Sequence, residues 1–299
     1  MNVRLCVVLC CVVLIGVTAA VTSVPPPTSS TPLRIDDLNH SVEGLLRGMP
    51  GVADVEVHQV NKPTHRIIHL RDWHFISKDL FAIDHHVEAL NDEKLDQQYH
   101  NFLKQVDSLQ LDQMTLLRTL IQQHGLKRLF CEGLTHRDMP NYREKIGVLK
   151  DMETNQIARL KRQLNEVREL LVGRPDPEAE VMEAKILDLL YGFYWRLVEM
   201  GAAGRLLVSG EIEEVLPVED HELLDAANPI TSDGQVQFDA EKVQARRDAI
   251  VQNMLKAGSF GLMILGGDHD LTENVKRVGE GKCEYIRVTL KRYNQVEEK

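Results

Sequence analysis

Three short apolar runs in this chain each end on a residue able to do chemistry. Arg66-Ile67-Ile68-His69-Leu70 leads into Arg71-Asp72-Trp73-His74, Arg128-Leu129-Phe130-Cys131 into Glu132-Gly133, and Phe260-Gly261-Leu262-Met263-Ile264-Leu265 into Gly266-Gly267-Asp268-His269. Runs of this length, closed by polar or glycine punctuation, predict buried strands. Further strands are predicted over 52–60, where Val52, Val55 and Val57 alternate, at Arg205–Val208 and at 284–290. Elsewhere the apolar positions recur at helical spacing. Asp84 to Gln123 reads as one long helix or two, closed by Gly125, and Asn141 to Leu171 as a second amphipathic segment. Asp176 before Pro177 is a good start for a third helix running to about Met200. These last two predict a helical hairpin inserted at about 140–200. Asp239 caps a helix over 240–256, and a short helix follows at about 270–278. Strands alternate with helices, which predicts an α/β fold with a largely parallel sheet flanked by helices. The two strand-then-histidine junctions suggest two related halves.

The first 24 residues change the picture of where this domain works. Arg4 precedes an almost wholly apolar stretch from Leu5 to Val17, and Val17-Thr18-Ala19-Ala20 supplies small residues for cleavage. This reads as a signal peptide, or as an uncleaved N-terminal anchor if the apolar stretch continues to Val24. Residues 25–45 read as a Pro/Ser/Thr-rich linker, leaving 46–299 as one α/β domain. The expected location is outside the cytoplasm, whether secreted, periplasmic or anchored.

Of five cysteines, only Cys131 and Cys283 lie beyond the apolar leader. They allow one disulfide or two buried thiols, and no CxxC or zinc-finger spacing occurs. The net charge of -10 argues against a nucleic-acid partner, since the basic residues between Arg143 and Arg168 are interleaved with acids as on a solvated helix face. The aromatic cluster Tyr191, Phe193, Tyr194 and Trp195 reads as core.

In a parallel α/β sheet the ligand crevice lies beyond the carboxyl ends of the strands. His74, Glu132 and His269 would meet there. Two imidazoles and a carboxylate suit a divalent metal ion or acid/base chemistry near neutral pH. Glu132 ends a buried strand, where a carboxylate is costly unless paired. Gly266 and Gly267 let the backbone turn and leave room for a bound group. On the helix before the last site strand, one arginine of Arg246-Arg247-Asp248 would grip a substrate anion. His69 reads as a core histidine on the other strand face. There is no GxSxG elbow and no HExxH.

Together these junctions resemble the superfamily that joins erythromycin esterases, ChaN-like haem-binding lipoproteins, TraB/PrgY proteins and Tiki proteases. Its pattern is a strand followed by GxxH, a strand ending in Glu, an Arg-Asp or Arg-Asn helix, and a final strand followed by GxxH. Gly266-Gly267-Asp268-His269 matches the last motif, Arg247-Asp248 looks like the arginine helix, and Leu129-Phe130-Cys131-Glu132 looks like the glutamate strand. Leu216-Pro217-Val218-Glu219-Asp220 resembles a further acidic element of some members. The first motif departs, with Arg71 where the family has glycine. The resemblance implies a site of two histidines, the glutamate and Arg247, but its functions diverge and fold does not choose among them.

The expectation is an exported, metal-assisted hydrolase of ester or peptide bonds, acting on a small molecule or a peptide, with a metal-free form beside it. In the metal-assisted form His74, Glu132 and His269 hold the ion; in the other a histidine is the base. The alternatives are a haem- or metal-binding protein without turnover and a non-catalytic interaction protein.

Overall fold

The computed structural model describes residues 42–85, 87, 91–172, 175–228 and 237–297. The expected leader and most of the linker lie outside them. The linker's end does not: a helix begins at Val42, which with Leu46 is buried in the core, so the folded body starts a few residues before 46. No helix among the described residues is long and apolar enough to cross a membrane.

In chain order the elements are α1 (Val42–Gly48), β1 (Val52–His58), β2 (His65–Asp72), α2 (Lys78–Asp84), α3 (Asp92–His124), β3 (Arg128–Thr135), α4 (Met139–Asp151), a π-helical turn (Met152–Ile157), α5 (Ala158–Leu171), α6 (Pro177–Glu199), α7 (Gly201–Val208), β4 (Glu214–Glu219), α8 (His221–Ala226), α9 (Ala240–Ala257), β5 (Phe260–Gly266), α10 (Thr272–Val278), β6 (Cys283–Leu290) and α11 (Lys291–Glu297). The strands form one sheet in the order β1-β6-β2-β5-β3-β4. Every pairing is parallel except the β1–β6 edge.

Alternate residues of the central strands feed two layers. Ile68, Leu70, Leu262, Ile264, Ile286 and Val288 share a core with Leu109, Leu117 and Leu120 of α3 and with α7. Ile67, Met263, Leu265 and Tyr285 share another with Ile250, Val251 and Met254 of α9 and Val275 of α10. A strand buried on both faces needs apolar residues at every position, which is why these strands appear in the sequence as unbroken runs. The predicted caps also form. Asp176 accepts from the N–H groups of Glu178 and Ala179, Asp239 from those of Glu241 and Lys242, and Gly125 closes α3 in the left-handed region. As expected, an inserted α5–α6 hairpin lies between β3 and β4, with its own small core of Leu164, Val167, Ile186 and Leu187.

The strand expected at Arg205–Val208 is instead the end of helix α7. Three apolar residues after an arginine cannot be told from a buried helix by periodicity, and the residues before them decide. Gly201 takes φ +67, and Ala202, Ala203 and Gly204 are small enough for a helix enclosed on all sides. A Cβ on Gly204 would lie 2.6 Å from the Met200 Cβ. Arg205 is held by Asp107 Oδ1 of α3 at 2.7 Å.

Sheet order also decides between the two cysteine readings. Cys131 on β3 and Cys283 on β6 are separated by β5 and β2, about 14 Å at the usual strand spacing, which is too far for a disulfide. Both are free, and burial pushes both thiols up to about 12. Thiol titration of a preparation lacking residues 1–24 is expected to find both thiols unreactive in the native state and two equivalents in denaturant, with or without reductant. One lost equivalent pair without reductant would refute this.

Candidate functional site

The carboxyl ends of β2, β5 and β3 lie side by side in mid-sheet. Asp72 is in register with Gly266, and the Gly267 N–H donates to the Asp72 carbonyl at 3.0 Å. β3 follows β4 through Cys131 and then loses register, and Gly133 takes φ +73, a left-handed conformation that costs other residues about 1–2 kcal/mol. This bend sets Glu132 against the end of β5, where its Oε2 accepts the Gly266 N–H at 2.5 Å.

Glu132 is the centre of the site. Its Oε2 lies 2.8 Å from His74 Nε2 and its Oε1 3.0 Å from His269 Nε2. Arg246 Nη2 donates to Oε1 at 2.7 Å. The sequence-predicted triplet of His74, Glu132 and His269 therefore does meet, drawn from three separate strand ends. Around it the charges alternate. His74 Nδ1 faces Asp72 Oδ2 at 3.4 Å, and Asp72 Oδ1 accepts from Gln113 Nε2 at 2.7 Å. On the other side, the Arg246 guanidinium spans Glu132 and Glu219, whose side chain has no exposed surface. The chain of groups runs carboxylate, imidazole, carboxylate, guanidinium, carboxylate.

Burial opposes charge on His74, but the Glu132 and Asp72 carboxylates outweigh it and hold the imidazole well above its ordinary 6.5. Burial likewise opposes ionisation of Glu132, and the two imidazoles outweigh it, holding the carboxyl well below its ordinary range. His74 thus carries a proton on both nitrogens, although 45% of its side-chain surface is exposed. His269 is different. Arg247 Nε faces its Nδ1 at 3.4 Å, so Nδ1 is the acceptor and Nε2–H donates to Glu132.

Behind this layer, His69 is fully buried, as expected for a core histidine. Burial pushes it down to about 3, so it is neutral. Its Nε2–H donates to the Leu265 carbonyl at 3.1 Å and its Nδ1 accepts from Tyr285 Oη at 2.6 Å, fixing the end of β5. Arg71 takes part in the same bracing. Its Nε donates to the Gly267 carbonyl at 3.2 Å, Arg287 donates to the same oxygen, and its guanidinium lies over the Tyr293 ring. With Arg71 in this place the two histidines and the glutamate still meet.

The site opens into a cleft of about 200 Å³. His74, Glu132, Gly266, Gly267 and His269 line its polar floor, and Trp73, Ile76, Phe102 and Tyr293 line its walls. Arg247 sits against His269 and the Asp268 carbonyl. Gln113 was not among the expected site residues, and of the pair Arg246-Arg247 the expectation settled on Arg247, whereas it is Arg246 that reaches Glu132. Arg246 is four residues before Ile250 and eight before Met254, on the buried stripe of α9. Gln113 interrupts the apolar stripe of α3.

The same contacts bear on the expected divalent ion. Glu132 already accepts from two imidazoles, a guanidinium and a backbone N–H. An ion between His74, Glu132 and His269 would have to break these contacts. Among the described residues no group of three or more His, Cys, Asp or Glu side chains is arranged to hold a metal ion. As placed, the donor set is closed on itself. Haem, the alternative cofactor, is far larger than a cleft below the usual 300–1,000 Å³ of drug-sized sites. Comparison with protein-family models, with curated proteins and with solved structures finds no match to this chain.

Proposed function

We propose that this protein is an exported hydrolase of ester or peptide bonds that activates water with a carboxylate-bound histidine and needs no metal ion. The observation that carries this reading is Glu132 bridging two imidazoles, at 2.8 and 3.0 Å, on the floor of a cleft at the strand ends. Strongly perturbed acids and bases gathered in a cleft are the mark of a reaction site.

The two histidines have different tasks. Glu132 fixes the His269 tautomer by accepting Nε2–H, which leaves the Nδ1 lone pair as the base, opposed only by the long Arg247 contact. Nδ1 takes a proton from water, and the oxygen attacks the scissile carbonyl carbon. The resulting imidazolium is stabilised by Glu132. His74, held protonated by Asp72 and Glu132, is the general acid. It protonates the departing alcohol oxygen or amine nitrogen as the acyl bond breaks, and solvent in the cleft returns both rings to their starting states. Arg246 and Glu219 keep Glu132 in place.

The pH dependence tests this division. A histidine whose pKa is raised stays charged past 6.5 and loses its proton as pH rises through the higher value. The kcat/KM for ester hydrolysis is therefore expected to hold through neutrality and fall on the alkaline side. His74→Ala is expected to lower kcat/KM by about 10²–10⁴-fold, the usual contribution of a positioned acid or base, and to remove the alkaline limb. Chelator treatment is expected to leave the rate unchanged. Activity that vanishes with chelator and returns with a divalent ion would overturn the metal-free form. No turnover of any ester or peptide would overturn the hydrolase reading.

A further inference from the structure

We propose, resting on the hydrolase reading, that the cleft takes a neutral ester or amide whose acyl side is one small apolar or single-ring group, and that Ile76 sets the size limit. Three observations carry this. First, the cleft is divided by chemistry. The catalytic groups form the floor at the ends of β2, β3 and β5. The walls are mainly apolar or aromatic, with Trp73 and Ile76 from the segment after β2, His85 just after α2, Phe102 from α3 and Tyr293 from α11, the His85 ring packing on Phe102. Trp73, Ile76 and Phe102 belong to one cluster with Phe81, Val106 and Val198, so the wall is continuous with a packed core. Trp73 stacks on Tyr293 with ring centroids 5.6 Å apart, and its Nε1 donates to the Tyr293 carbonyl at 3.3 Å. This pair gives the wall a fixed position.

Second, the volume is selective. At about 200 Å³ the cleft is little larger than a dry cavity of ~150 Å³ that accepts benzene. One ring and the scissile carbonyl fill it. A fused bicyclic group or a long acyl chain would have to extend past the walls into solvent.

Third, the charges select against anions. Among the described residues no lysine or arginine lines the cleft, while Asp72, Glu132 and Asp268 do. Of the lining histidines, His74 is already shared by two carboxylates and His269 is held by Glu132. An anionic substrate group would enter without a partner, which costs far more than a neutral one does. Ile76 can be replaced without touching this machinery. Its interaction with Tyr99 runs through the backbone, the Tyr99 hydroxyl donating to the Ile76 carbonyl at 2.8 Å.

The test uses the chain without residues 1–24 and p-nitrophenyl acetate, butyrate, benzoate, 2-naphthoate, dodecanoate and hemisuccinate. The wild type is expected to hydrolyse the first three, with kcat/KM at least ~10-fold lower for the others, the scale set by a misfit of a methylene or more in a tight pocket. Ile76→Ala is expected to raise the naphthoate-to-benzoate ratio of kcat/KM about tenfold, and Ile76→Trp to lower the benzoate-to-acetate ratio about tenfold. Urea midpoints show whether each variant is folded. Equal rates for benzoate and naphthoate, preference for hemisuccinate, or ratios unmoved in both folded variants would overturn the proposal. Should no ester be hydrolysed, the hydrolase reading fails, and the subsite is judged by Trp73 fluorescence in a Trp195→Phe background with benzamide and 2-naphthamide. Binding of benzamide alone, extended to naphthamide by Ile76→Ala, would support it, and binding of neither would overturn it.

Discussion

Glu132→Gln is expected to abolish hydrolysis and to destabilise the fold together, because one carboxylate serves both. In the wild type its oxygens accept from His74, His269, Arg246 and the Gly266 N–H. A glutamine keeps the shape but has one acceptor oxygen, and its NH₂ must face one of the ring or guanidinium donors. Arg246 is then left with Glu219 as its carboxylate partner. Removing one member of a buried, hydrogen-bonded charge group costs about 3–5 kcal/mol, and the low exposure of Glu132 and Arg246 places this change within that class. The rate is expected to fall by ~10³-fold or more, since the base loses its orienting carboxylate and the acid the carboxylate that keeps it protonated. Urea unfolding and ester assays on the same preparation check both.

Stability should also lose its pH shape. Glu132 ionises well below its ordinary 4.5, so its contribution is fully present above that value and is lost as pH falls through the lower folded one. His74 titrates well above 6.5, so its contribution is fully present below 6.5 and is lost as pH rises through the higher folded value, reduced by solvent screening at so exposed a ring. Wild-type stability is therefore expected to be greatest between about 4.5 and 6.5 from this pair, and Glu132→Gln to flatten both limbs. A variant as stable as the wild type at pH 6, or one with unchanged limbs, would refute the central role of Glu132.

The parts of this site that were legible in the sequence are those that local rules govern. A central parallel strand must be apolar throughout, and a charged residue at its end must be accounted for. That reasoning singles out Glu132, and the following turns single out His74 and His269. The bulge at Gly133 was not legible, because a glycine after a strand has several uses and only the loss of pairing with β4 shows which one operates. Arg246 was not separated from Arg247, since neighbours on a helix differ by only 100° and both flank the buried stripe. The distance from Glu219 to Glu132 decides between them, and that is set by sheet order. The end of the helix, Arg205–Val208, was mistaken for a strand because its three apolar residues carry no period, whereas the three small residues before Arg205 did carry the signal. Arg71 seemed to spoil the first motif. In the folded chain it braces the Gly267 carbonyl, a partner 196 residues away.

That bracing leads to the other large effect, expected for Gly267→Ala. A Cβ built on Gly267 would lie 1.7 Å from Tyr293 Oη, 2.1 Å from Cζ and 2.4 Å from Cε2. Such overlap is relieved only if the ring or the turn moves, and neither is free to do so. Tyr293 is 1% exposed, stacked on Trp73 and covered by the Arg71 guanidinium 4.0 Å from its ring centre. The turn is held by the Gly267 N–H on Asp72, by Arg71 and Arg287 on its carbonyl, and by the Gly266 N–H on Glu132. Overpacking by one methyl usually costs about 1–3 kcal/mol, and with both partners fixed the upper end, about 3 kcal/mol, is expected. The displaced turn carries His269, whose N–H donates to the Gly266 carbonyl, so hydrolysis is expected to fall with it. A double-mutant cycle separates the clash from any intrinsic need for glycine. Tyr293→Ala alone should destabilise by about 3–5 kcal/mol, as loss of a buried ring does. In that background Gly267→Ala should cost under ~1 kcal/mol, a coupling at the upper end of that measured for touching residues. Equal costs in both backgrounds, read from urea midpoints, would mean that the glycine is needed for its backbone and that α11 does not pack on the turn as described.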